Sequence, residues 1–305
     1  MKAKTHWIYD NFFPDAGDMR AKIEQHFDEP YGLKQPFTHR TIWNYWYIDK
    51  LYIYLRAQPE KIFPERLPQF MQQLRHFAAV QYGMKVPSNP LISMYINGCG
   101  QGLHNDAKNG RLAYVFSLTK WDQRHFEGGE TIIHHFQTDD SVRFNAAAGT
   151  SFYSLVEPLF NRLLVFDDRA PHAVRYVQGT MHPLDARFVI HGHMEEPGRI
   201  AYVEGGLEQQ DLTPQWQQMS GPVSQMLQAN GQHGFITFEV LIDPTGMSKS
   251  HVKHVQLLPL GGKVKEVQVC LDSALEMLSG IHWPKSEHYS KLVFALCSHP
   301  LKAPI

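Results

Sequence analysis

The chain has 305 residues, 43% apolar and 19% charged, with a formal net charge of -1. That length allows one large core and a smaller second one, while the near-zero charge supplies no field to gather nucleic acid or anionic lipid. Three scattered cysteines, Cys99, Cys270 and Cys297, argue against a disulfide framework or a Cys-rich zinc site. With no apolar run of signal-peptide length or of the ~20 residues of a membrane span, the expected location is the cytoplasm. The outlier is 18 histidines, many between residues 104 and 193, which makes metal chemistry worth testing.

In chain order, the first expectation is two amphipathic helices. PDAGDMRAKIEQHF offers Asp15 as N-cap with Met19, Ile23 and Phe27 at spacing four. ERLPQFMQQLRHFAAVQYG places Leu67, Phe70, Leu74 and Phe77 on one face and ends at Gly83. Between them the aromatic-rich TIWNYWYIDKLYIYLR (41–56) is read as core or sheet filling rather than as a substrate groove. From residue 91 the period becomes that of strands: LISMYIN, RLAYVFSLT, GETIIHHF, TSFYSLVE, NRLLVFDD, HAVRYVQ and ARFVIHGHM. Turn-like pieces such as NGCGQG, EGGE and DDRAP separate them, and this spacing predicts a jelly roll. The polar, Gln-rich 199–233 is read as a linker. A small β-β-α-β unit over 234–305 follows, with Ile236, Phe238, Val240 and Ile242 on one strand face.

The chemistry centres on LHNDAKNGR (103–111). A strand puts residues i and i+2 on one face, so His104 and Asp106 at a strand end can aim an imidazole and a carboxylate at one point. The third donor is His172, at the start of a strand after the turn in LLVFDDRAPHAV. Two histidines and a carboxylate on one face of an octahedron suit a non-haem Fe(II) oxygenase. If the co-substrate is 2-oxoglutarate, its distal carboxylate needs a buried cation, and Arg187 in ARFVIHGHM offers a planar fork. Alternation then turns Val189, His191 and His193 to the same interior face.

The series Tyr95, His104-x-Asp106, RLAYVFSLTKWDQRHFEGGET, FDDRAPHAV and ARFVIHGH resembles the prolyl-hydroxylase-type branch of the 2-oxoglutarate/Fe(II)-dependent dioxygenases over about residues 1–197. The resemblance implies an α+β protein whose catalytic unit is a double-stranded β-helix (jelly roll) with supporting N-terminal helices, over residues 1–198. It implies His104, Asp106 and His172 as iron ligands and Arg187 as the clamp on 2-oxoglutarate. Tyr95 and either Tyr114 or Ser117 are implied as further co-substrate contacts, beside His191 and His193, which alternation makes candidates for contacts to the co-substrate or to the ligands. Fe(II), 2-oxoglutarate and O2 are the implied cofactors, with ascorbate as an optional reductant. The expected reaction is hydroxylation of an unactivated C–H, with succinate and CO2 as co-products, on a prolyl, peptidyl or amino-acid-derived substrate.

The gap from His172 to Arg187 is longer than the family's usual spacing, and GTMHPLD is expected to form the extra loop; Arg175 is too close to His172 to serve instead. Asp106 argues against halogenation, in which chloride takes the carboxylate's place, and RFVIHGH lacks the RxNxTxR pattern of nucleic-acid demethylases. His134-His135 point to opposite strand faces and are not expected to ligate, and GCGQG is followed by no helix, so no dinucleotide fingerprint is read there. The C-terminal unit more weakly resembles the TonB C-terminal domain, which implies a role in protein interaction or dimerisation. Competing readings are a small-molecule tailoring oxygenase and a jelly-roll sensor that holds a metal without turnover. A hydrolytic zinc enzyme would leave Arg187 without a purpose.

Overall fold

The computed structural model describes residues 5–28, 42–48, 51–87, 89–135, 152–259 and 266–298. Positions 41, 49–50, 136 and 150–151 of the segments quoted above, and 260–265 and 299–305 of the C-terminal unit, lie outside them. Both expected helices form, as α1 (Ala16–Asp28) and α2 (Leu67–Tyr82). Gly83 ends α2 in the left-handed region at φ 66°, its N–H returning to the carbonyls of Ala78 and Ala79.

Eleven described strands make one curled antiparallel sheet, the double-stranded β-helix expected from the sequence. They are β1 (His6–Tyr9), β2 (Asn44–Ile48), β3 (Tyr52–Ala57), β4 (Leu91–Tyr95), β5 (Gly100–His104) and β6 (Leu112–Ser117). After them come β7 (Thr131–His134), β8 (Tyr153–Val156), β9 (Leu163–Asp167), β10 (His172–Val174) and β11 (Arg187–Met194). The strand order is β1-β9-β6-β11-β4-β3-β5-β10-β7-β8, with β2 on β3. Phe116, Ile92, Met94, Phe188 and Ile190 share one apolar core with Met19 and Ile23 of α1 and Phe70, Leu74 and Ala78 of α2. Alternation sends the next residues of the same strands to the other, concave face, where Tyr54, Tyr95, Val174 and Val189 cluster.

The second sheet joins β12 (Tyr202–Gly205), β13 (Gln232–Ile242), β14 (Ser248–Pro259) and β15 (Ser290–Cys297) in the order β12-β15-β13-β14. It carries α3 (Thr213–Ala229) and α4 (Val267–Ser279). The segment expected as a linker therefore holds a strand and a helix. Met219, Val223 and Leu227 recur every four residues of α3 and are buried with Ile236, Phe238, Val240 and Ile242 of β13. Glutamines on the outer face and the internal Pro222 obscured that stripe in the sequence. The opposite face of this sheet lies on α2: Thr237 Oγ1 donates to the Tyr82 carbonyl at 2.8 Å and Lys253 Nζ to that of Val80 at 3.0 Å.

Gly83 is the tightest point of this junction, where a Cβ would stand 2.4 Å from the Phe294 carbonyl carbon on β15. The Gly83→Ala variant combines that clash with a positive φ and is expected to lose more than about 1 kcal/mol of stability. Urea unfolding of both proteins measures this, and an unchanged midpoint would remove the junction from the stability argument.

Candidate metal centre

Strand β5 ends on His104, whose register partner on β10 is His172, and their ring centroids are 4.2 Å apart. The Nδ1–H of His104 donates to the Gly102 carbonyl at 2.8 Å and that of His172 to the Ala170 carbonyl at 2.9 Å. A carbonyl only accepts, so both Nδ1 atoms carry the proton and both Nε2 lone pairs are free to ligate. Asp106 follows on the turn, fixed by its N–H to the Asp168 carbonyl at 2.8 Å. Its Oδ1 accepts from Asn109 Nδ2 at 3.1 Å, and its Oδ2 lies 3.5 Å from His172 Nε2. One ligand atom from each of the three residues falls within 4.8 Å of the others.

Electrostatics prepare this set for a cation. Burial, and then the neighbouring His172, hold His104 below the ordinary imidazole value. Burial works to raise Asp106, but the three neighbouring imidazoles, His172 first and then His193 and His104, outweigh it and hold the carboxyl low. A deprotonated carboxylate and a neutral imidazole are the forms a metal needs.

A second group adjoins the first. His193 Nδ1 lies 3.0 and 3.2 Å from the two carboxylate oxygens of the buried Asp168, and Asp106 stands within 4.8 Å of this pair. Burial opposes the charged imidazole, yet the Asp168 partner raises His193 above its ordinary value. No role was expected for Asp168, the second aspartate of FDDRAP.

Arg187 opens β11 opposite Tyr95 of β4 and is only 1% exposed. Its Nη2 donates to Thr131 Oγ1 at 3.2 Å, whereas Nε and Nη1 have no hydrogen-bond partner among the described residues. Its Cζ is 4.6 Å from the Tyr95 ring centroid. Burial pulls its pKa down, with Tyr95 and Glu130 offsetting part of the shift. Two empty donors on a buried guanidinium are costly unless a ligand carboxylate fills them, so the site fits the co-substrate expected from the sequence. Arg175, by contrast, is half exposed and lies against Glu130 at 3.3 Å.

The other expected contacts divide. His191 lines the same cavity, its Nε2 2.8 Å from Ser93 Oγ, and burial pushes it down to about 3. Tyr95 also lines the cavity, and burial raises its hydroxyl. Tyr114 borders it beside Gly192 with its hydroxyl unpartnered among the described residues. Ser117 does not reach it: the hydroxyl donates to the Pro158 carbonyl at 2.7 Å and accepts from the Thr119 N–H at 3.2 Å, bracing the exit of β6. His134 and His135 stand apart from the cluster, with His135 Nε2 2.7 Å from Ser154 Oγ.

The cavity measures about 360 Å³, and its wall includes residues that the sequence reading assigned to the core. Trp46, Tyr52, Tyr54 and Arg56 come from the aromatic segment 41–56, with Tyr52 edge-on to His104 at 4.9 Å. Their signal was alternation on β3, where Tyr52, Tyr54 and Arg56 share a face.

The turn that delivers His172 is held from outside by Arg169. Its Nε and Nη2 grip the fully buried Asp167 carboxylate at 2.9 and 2.6 Å. Its Nη1 and Nη2 also donate to the carbonyls of His233 and Gln256 in the second sheet, at 2.6 and 3.0 Å.

Residues 91–195 match the 2OG-Fe(II) oxygenase superfamily. No curated protein matches the chain. Similar solved structures include a prolyl-4-hydroxylase from Pseudomonas putida, 16% identical over 63% of this chain and 92% of that one, with a TM-score of 0.42. Another is a prolyl hydroxylase from Trichoplax adhaerens in complex with a hypoxia inducible factor oxygen degradation domain peptide fragment, 13% identical over 61% and 81%, with a TM-score of 0.39. AviO1 from Streptomyces viridochromogenes Tue57 is 15% identical over 64% and 91%, with a TM-score of 0.42.

Truncating Arg169 to Ala leaves a buried carboxylate unpaired and frees the His172 turn. Metal affinity is expected to fall about 10- to 100-fold, with Arg169→Lys intermediate. Anaerobic Fe(II) titration alongside circular dichroism reads this, and full affinity in a folded Arg169→Ala protein would refute the link.

Proposed function

We propose that this chain, whose residues 91–195 are a 2OG-Fe(II) oxygenase domain, hydroxylates an unactivated C–H of a prolyl, peptidyl or amino-acid-derived substrate. Fe(II), 2-oxoglutarate and O2 are the cofactors of this superfamily. The observation that carries the reading is Arg187, a buried guanidinium with two unfilled donors on the cavity that also holds the His104, Asp106 and His172 donors.

On this reading His104 Nε2, His172 Nε2 and one Asp106 oxygen hold Fe(II), while Arg187 takes the distal carboxylate of 2-oxoglutarate with Thr131 beside it. The bound iron and co-substrate supply the oxidising chemistry, turning 2-oxoglutarate into succinate and CO2. The chain's own residues position and shield. Asn109 holds one Asp106 oxygen, the Gly102 and Ala170 carbonyls fix both ligating rings, and Tyr95 with Val174 and Val189 walls the co-substrate pocket from water. His191 stays neutral beside Ser93 and adds a polar contact without a second positive charge.

A tailoring oxygenase acting on a free small molecule is the second reading, favoured by the modest cavity volume of about 360 Å³. Hydroxylated peptide, as opposed to a hydroxylated metabolite, after incubation with cell extract would separate the two. We place the catalytic unit in residues 1–198. The second sheet is read as a brace for the His172 turn; its contacts through Arg169 support this over a partner-recruiting role.

The test is anaerobic addition of Fe(II) and then 2-oxoglutarate, watched for the visible charge-transfer band of the chelate. Asp106→Ala and His172→Ala are expected to lose iron and band together. Arg187→Ala keeps iron and needs about 10- to 100-fold more 2-oxoglutarate, from the loss of a charge-assisted pair worth roughly 1.5–3 kcal/mol. Equal iron loss in all three variants contradicts the assigned roles, and iron binding without any band rejects the co-substrate.

A further inference from the structure

We propose that Arg56 binds the substrate, and that the group it takes is a carboxylate. This rests on the oxygenase reading and narrows its substrate class. Arg56 lies on β3, opposite Ser93 of β4 and Asn44 of β2, and lines the same cavity as the candidate ligands and Arg187. Arg187 sits opposite Tyr95, the next position on that face of β4, so the two guanidiniums occupy different rows of one concave wall. Arg187 is buried and Arg56 only half-buried, which puts Arg56 on the side open to an incoming molecule.

Arg56 is held but not neutralised. Its Cζ lies 3.8 Å from the Trp46 ring centroid, a stacked arrangement that fixes the plane of the guanidinium; it also hydrogen-bonds the neutral Tyr54 hydroxyl, which takes part of the fork and none of its charge. Among the described residues no carboxylate pairs with it. Apart from histidines, the charged residues among the described residues of the lining are Arg56, Asp106 and Arg187. Once Fe(II) and doubly charged 2-oxoglutarate are bound, their charges cancel with those of Asp106 and Arg187. Among the described residues of the lining, Arg56 is then the one uncompensated charge in a cavity partly shielded from water, where an anion is strongly favoured.

A single fork beside the neutral amides of Asn89 and Gln101 matches a singly charged, planar carboxylate. A phosphate would call for more positive charge than this wall provides. The carboxylate can come from a free amino acid or a peptide C-terminus, or else from an acidic side chain.

The probes are the L-amino acids, their α-amides, O-phosphoserine, and N-acetylated, C-amidated peptides with and without an aspartate. Each is titrated anaerobically against protein loaded with Fe(II) and 2-oxoglutarate, reading the displacement of the charge-transfer band. A parallel titration of metal-free protein reads tryptophan fluorescence, since Trp46 lies under Arg56. The expected result is a response to at least one carboxylate probe at a concentration about 10-fold or more below its uncharged counterpart. Arg56→Gln removes that preference and Arg56→Lys restores part of it, while the charge-transfer band before probe addition stays as in the wild type. A response confined to α-carboxylates assigns a free amino acid or C-terminus; one confined to the aspartate peptide assigns a side chain.

The proposal is overturned if amides act as well as acids, if no carboxylate probe acts, if O-phosphoserine is preferred, or if Arg56→Gln keeps the preference. Absence of any band in the wild type rejects the oxygenase reading instead, and the fluorescence arm still reports on Arg56.

Discussion

Phe188, Ile190 and Met194 must face the helices α1 and α2 because only there is apolar surface available to bury them. The pleat then forces Arg187, Val189, His191 and His193 to the concave side. Strand β11 is paired on both edges, with β4 and β6, so its register is fixed along the whole strand. A slip of one residue would put a guanidinium and two imidazoles into the apolar core, at a cost of several kcal/mol for the unpaired charge alone. The site is thus a by-product of core packing, and its polar residues inherit their positions from apolar neighbours.

The second sheet extends that control to the turn that leads into His172. His172 begins the three-residue β10 just after a tight turn, and the strand pairs with β5 on one edge and β7 on the other. Asp167 is fully buried and Arg169 neutralises it, and the same guanidinium donates to carbonyls of β13 and β14. Arg111 adds a second tie, pairing in fork geometry with Glu196 at 2.9 Å, on the segment that leads from β11 to the second sheet. Two sheets with separate cores therefore meet at the turn that precedes His172.

What could be read from the sequence was whatever is local. His104 and Asp106 are two apart, the strands carry period two, and the order of motifs from Tyr95 to Arg187 survives without coordinates. Tyr114 and Ser117 could not be separated, because the choice depends on the Pro158 carbonyl, which the fold brings to Ser117 from across a turn. The aromatic wall was misjudged for a similar reason. Core and cavity both accept Trp46, Tyr52 and Tyr54, and only the pairing of β3 with β4 and β5 reveals which surface they cover. Helix α3 was hidden by composition, since three buried residues at spacing four are enough for a docked helix even when glutamine fills the rest.

Four histidines border one cavity, and their surroundings give each a different task. His104 and His172 donate their Nδ1–H groups to backbone carbonyls, which no side-chain substitution nearby can remove, so in the neutral ring the lone pair lies on Nε2. His191, two residues beyond Val189, meets a serine hydroxyl, and burial first, then the positive fields of His193, Arg56 and Arg187, hold it well below the ordinary imidazole value. His193, two residues further, meets Asp168 and is pushed the opposite way. Each imidazole has the same intrinsic chemistry. The difference lies in whether the nearest partner is a carbonyl, a hydroxyl or a carboxylate, and those partners sit on β5, β4 and the His172 turn, so strand pairing sets protonation state as well as position.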